Sequence, residues 1–192
     1  MDTETATAVT DVALSAGTFI LGFTVGEQKT YRTWTALFIT LALAAALGAL
    51  YHGVDKFHIP AIWILVSSAS VASGFLFLAA CLCVTRPQWK WLHWLWPLWG
   101  IVGILVGGLI SSYPFFYISA ASGVCILISM VVLLKAPTKL ARNWIYAGIA
   151  VTIFGLVVQE TTNFEGLLSR NALFHELQLI GNFFLWIGAR KS

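Results

Sequence analysis

The chain has 192 residues, of which 59% are hydrophobic and 10% charged, with a formal net charge of +3. Ordinary soluble domains carry about 25% charged residues, so this composition, with a mean hydropathy of +0.85, excludes a soluble globule and offers nothing for nucleic-acid binding. The apolar runs are continuous rather than alternating segments of about ten residues, which excludes an outer-membrane barrel and leaves a helical membrane protein.

Residues 1–8 are polar and acidic, and no basic stretch precedes the first apolar run, so a cleaved signal peptide is not expected. The first span is predicted over residues 7–25, with Asp11 about one turn inside it. A polar loop leads to the second span, 33–51, which is rich in Ala and Leu and ends in Tyr51-His52-Gly53. Pro60, a good first-turn residue, precedes the third span at 61–84. Ser67, Ser70 and Gly74 share one face of that helix at spacings of three and four.

The fourth span is placed at 91–110. Around its start Trp89, Trp91, Trp94, Trp96 and Trp99 stand beside Arg86 and Lys90, the composition of an interfacial anchor. Gly103 and Gly107 supply a small-xxx-small face for close helix contact. Spans five and six follow at 113–134 and 140–158, and the seventh at 171–189. That last stretch is long enough to cross a bilayer, at roughly 1.5 Å per residue against a hydrocarbon core of about 30 Å. Its first turns nevertheless carry Asn171, His175, Glu176 and Gln178. Cys81, Cys83 and Cys125 lie inside apolar runs without metal-ligand spacing and read as small core residues. No internal repeat or linker divides the chain, so one domain is expected.

Charge placement tests the count of seven. One side of the membrane would hold the N-terminus and three loops, with Lys56 and Arg170 as its basic residues. The other side would hold Lys29, Arg32, Arg86, Lys90, Lys135, Lys139, Arg142, Arg190 and Lys191. Such asymmetry puts the N-terminus outside and the C-terminus in the cytoplasm of a bacterial inner membrane or a plasma membrane. An all-α, seven-transmembrane-helix bundle is the expected fold.

On that map the acids and histidines gather at the outer end: Asp11, His52, Asp55, His58, Glu160, Glu165, His175 and Glu176. A polar side chain inside a span needs partners, because an unpaired polar group in lipid is costly. Three arrangements would supply them. His52, His175 and Asp11 could ligate a catalytic zinc with an open position for water, backed by Glu176, Gln178 or Asn171. A cluster of hydrogen bonds could tie the helix ends together. Haem or a pigment could be ligated by His52 and His175. Glu160 and Glu165 read as solvated loop acids, and His58 and His93 as interfacial histidines.

The layout resembles the seven-span CREST superfamily, which includes alkaline ceramidases and the progestin/adiponectin receptors. Leu47-Gly48-Ala49-Leu50-Tyr51-His52-Gly53 is similar to that group's span-two motif, and Ala172-Leu173-Phe174-His175 to its first span-seven histidine. Gly48 stands where the family has a serine, Leu179 where it has a second span-seven histidine, and span three has no aspartate. The resemblance implies a zinc-dependent hydrolase of lipid amides or esters, with the membrane lipid entering sideways. Asp11 or Glu176 would take the proton from metal-bound water, and Ser67 or Ser70 would bind the developing oxyanion. The rival expectation is a non-enzymatic membrane subunit or ligand-binding protein, packing on a membrane partner or a second copy through Gly103, Gly107 and the Trp-rich fourth span. A transporter ranks behind both, since no pair of broken spans appears.

Overall fold

The computed structural model describes residues 3–26, 31–54, 59–86, 88, 91, 95–112, 115–161 and 169–192. They form seven α-helices in chain order: α1 (Thr3–Thr24), α2 (Tyr31–Gly53), α3 (Pro60–Thr85), α4 (Trp96–Ile110), α5 (Phe115–Leu133), α6 (Lys139–Thr161) and α7 (Arg170–Arg190). No strand occurs among the described residues. α1, α3 and α6, and α2 from Arg32 onward, are each long and apolar enough to cross a membrane. The expected all-α seven-helix fold is therefore present, with helices fit for a membrane protein.

Helix ends follow local chemistry. α3 starts at Pro60, after Ile59 in extended backbone, because a proline at the first helical position loses no hydrogen bond. α7 starts one residue earlier than expected, since the Ser169 side chain accepts from the Ala172 N–H at 3.2 Å and caps the helix. α1 starts earlier too, at Thr3, which brings Glu4 onto a helix that the sequence left as a tail. α4 is shorter than expected: it begins at Trp96, with Pro97 in its first turn, rather than at residue 91. Trp89, Lys90 and Trp94 of the expected anchor lie outside the described residues, as do Asp55, His58, His93 and Glu165.

α6, α7, α1, α2 and α3 pack in that order, each against the next, and α4 and α5 both rest on α3. α3 is accordingly buried along most of its length from Ser67 to Thr85. Small residues allow close approach. A Cβ on Gly103 would sit 2.3 Å from the Ala72 Cα, and one on Gly107 would sit 2.5 Å from the Ser68 Cα. The Gly103/Gly107 face is thus consumed inside the chain by α3. It does not supply the partner surface that the sequence suggested.

The two ends of the bundle differ in filling. At the end where α1 finishes and α2 begins, Val25, Trp34, Phe38, Leu76, Phe77, Val84, Leu133, Ile145 and Leu185 form a packed apolar cluster. Trp34 meets the Phe77 ring edge-on at a centroid distance of 6.1 Å, a favoured aromatic geometry. Toward the end where α1 starts, the helices instead surround a cavity of about 490 Å³. There α5 and α6 make few contacts; their main polar tie, the Tyr146 hydroxyl donating to the Met130 carbonyl at 2.7 Å, lies nearer the packed end.

Candidate functional site

Polar residues recur at helical spacing on the faces that turn toward the cavity. On α1, Ala6, Thr7, Asp11, Leu14, Thr18 and Gly22 are buried, and from Thr7 onward they lie three or four residues apart, so they form one inward stripe. On α7, Asn171, His175, Gln178, Asn182 and Leu185 line the cavity at the same spacing. The two stripes meet where α1 packs on α7. There the buried Asn182 Nδ2 donates to Thr18 Oγ1 at 3.0 Å.

One turn from the start of α7, His175 Nδ1 stands 3.2 Å from Thr10 Oγ1 and 3.4 Å from Asp11 Oδ1. The Thr10 hydroxyl lies 3.1 Å from the Ala6 carbonyl and 3.0 Å from the Thr7 carbonyl, so its single hydrogen goes to the backbone. Thr10 Oγ1 then acts toward the ring as an acceptor, and a hydrogen on Nδ1 serves both it and the Asp11 carboxyl. That assignment leaves Nε2 outside the set. Asp11 itself is only 4% exposed. Its second oxygen, Oδ2, is buried without a hydrogen-bond partner among the described residues. It faces the bare backbone of Gly48, where an added Cβ would come within 3.0 Å of it.

His52 ends α2 on the same cavity but has a different companion. Its Nδ1 stands 2.7 Å from Glu4 Oε2, an exposed carboxylate in the first turn of α1. On α6, Gln159 Nε2 donates to Asn171 Oδ1 of α7 at 3.0 Å, while Gln159 Oε1 is buried without a hydrogen-bond partner among the described residues.

The structure thus brings Asp11, His52, His175 and Ser70 to one cavity. Two expected catalytic residues stand elsewhere. Glu176 is exposed and does not line the cavity. Ser67 is buried against α4, where a Cβ on Gly107 would meet its carbonyl oxygen at 2.7 Å, and it too does not line the cavity. Glu4, Thr10 and Gln159 escaped the sequence reading. Glu4 and Thr7 lie seven and four residues before Asp11 on the same helical face, and that stripe was the available signal.

A zinc ion would need three protein ligands and an open position. Two imidazoles whose Nδ1 atoms are engaged by carboxylates resemble oriented metal ligands. Asp11, however, is the companion of His175, and no group of three His, Cys, Asp or Glu side chains among the described residues could hold a metal ion. As placed, the donor set does not fit a catalytic zinc.

Residues 6–192 match a family described as a family of unknown function, DUF6962. The chain belongs to that family. No curated protein and no solved structure matches it. The matched range covers Asp11, His52, Gln159 and His175, while Glu4 precedes it.

Proposed function

We propose that this protein is an integral membrane protein that binds an amphipathic small molecule in the cavity between its helices, with its N-terminus outside and its C-terminus in the cytoplasm. The observation that carries this reading is the cavity itself: about 490 Å³, with Asp11 and His175 on one wall and Leu37, Phe77, Ile118 and Ile126 on others. A space of that volume suits a small ligand. Polar groups near one bilayer face, with apolar walls running inward, match a molecule with a polar head and a hydrocarbon body. Support for this orientation comes from Lys135, Lys139, Arg142, Arg190 and Lys191, which fall at the helix ends opposite Glu4 and His52.

Gly123 offers a clean test, because it lines the cavity and a Cβ there meets nothing within 4 Å. Gly123→Phe should fill the space while leaving helix packing intact. Mass spectrometry of the purified protein should find a co-purifying amphiphile on the parent chain and lose it in this variant. The reading fails if neither a retained molecule nor saturable binding of any added amphiphile is detected.

The second reading is a CREST-like metal-dependent hydrolase acting on a lipid amide or ester. Its support is that His52, His175 and Asp11 line one cavity with their imidazoles oriented by carboxylates. A third ligand would have to come from a rearranged site. Stoichiometric zinc in protein purified without chelators, lost in His52→Ala, would favour it over simple binding.

A further inference from the structure

Two acceptors on residues that line the cavity lack a donor. Asp11 Oδ2 and Gln159 Oε1 are both buried, both without a partner among the described residues, and both belong to residues that line the same space. A buried acceptor left without a donor keeps its full desolvation penalty. Native structures seldom leave such acceptors unpaired unless something else supplies the hydrogens. Two donors beside them are already committed. His175 Nδ1 faces Thr10 and Asp11 Oδ1, and Gln159 Nε2 is spent on Asn171. Nothing on the wall at Gly48 can donate to Oδ2, because that residue has no side chain and its backbone N–H belongs to the helix.

From this we infer that the ligand of the proposed cavity carries a cationic primary amine, whose N–H groups are accepted by Asp11 Oδ2, with Gln159 Oε1 as a second acceptor. The inference rests on the ligand-binding reading above and adds the chemistry of the head group. An ammonium has three hydrogens and no acceptor, the complement of an orphaned carboxylate oxygen. A charge-assisted bond of this kind is roughly twice as strong as a neutral one. Trp63 lines the same cavity, beside Tyr51. The other charged or titratable residues on the lining are His52, His175, Glu160 and Arg170. Glu160 and Arg170 are of opposite sign and both exposed, so they leave the buried Asp11 as the cavity's inner acid.

The test compares three single-chain amphiphiles on detergent-purified protein by calorimetric titration: decylamine, decyltrimethylammonium and decanoate. Decylamine should bind saturably. Decyltrimethylammonium keeps the charge but has no N–H, and should bind at least about tenfold more weakly, as should decanoate. Asp11→Asn should weaken decylamine by a similar factor, and Gln159→Leu by less. Gly48→Ser supplies a hydroxyl to Oδ2 from within the chain, so it should lower decylamine affinity while the protein stays folded. Equal affinity for the amine and its trimethyl counterpart, or unchanged amine binding in Asp11→Asn and Gly48→Ser, would overturn the inference. If decanoate binds and the amine does not, the cavity remains a binding site and only the amine assignment falls. If none of the three binds, the amine assignment falls, and the binding reading falls with it only where the purified parent chain also retains no molecule.

Discussion

At the scale of single residues, the two histidine–carboxylate contacts differ in what surrounds them. Glu4 is largely exposed, so its contact with His52 is screened by solvent, and Glu4→Gln should cost under about 1 kcal/mol in reversible unfolding. Asp11 is buried, and its orphaned oxygen gives a sharper prediction at Gly48. Alanine and serine there bring the same Cβ against Oδ2, but only serine brings a donor. Gly48→Ser should therefore be more stable than Gly48→Ala by about 1–2 kcal/mol, read from paired unfolding curves. Equal stabilities would mean that Oδ2 does not want a hydrogen. The Thr18–Asn182 bond sits deeper, between α1 and α7, and Thr18→Val should cost about 0.6 kcal/mol, the average for interhelical bonds in membranes. Asp11 and His175 were legible as a pair in the sequence because each interrupts an apolar run at the same depth. The Thr10 companion of His175 and the Glu4 partner of His52 were not, since Thr10 and Glu4 look like ordinary helix-start residues until the crossing of α1 with α2 and α7 is known.

Among the helices, glycines decide how closely neighbours pack. α4 carries an internal control: Gly107 lies against the α3 backbone, whereas a Cβ on Gly100 would meet nothing within 4 Å. Gly107→Ala should force the two helices apart and cost about 1–3 kcal/mol. Gly100→Ala should be neutral or stabilising by up to about 1 kcal/mol, because alanine is the better helix former. Thermal unfolding of the two variants side by side checks the contrast. Six of the helices were readable from apolar length to within a few residues. The start of α4 was not, because the apolar run continues upstream of Trp96 in the sequence, and Pro97 suits a first turn better than an interior. The spacing of Gly103 and Gly107 revealed that a neighbour would come close. It could not reveal that the neighbour is α3 of the same chain rather than a second copy, because periodicity describes one surface and is silent about the other.

For the molecule as a whole, the proposed orientation has a direct check. A reporter that is active only in the cytoplasm should work when fused after Ser192 and fail when fused before Met1. The opposite pattern would invert the sidedness of the cavity. The uneven filling of the bundle has a further consequence for how it should move. Hydrostatic pressure favours states that eliminate internal voids, and here the void lies on one side of the aromatic cluster around Trp34 and Phe77. Compression should therefore disturb the halves of α1, α6 and α7 nearest Glu4 and Gln159 first, while amides around Ile145 and Leu185 exchange last. An occupant of the hollow would stiffen the loose half and leave the dense half as it was, so its arrival would be felt at one membrane face alone.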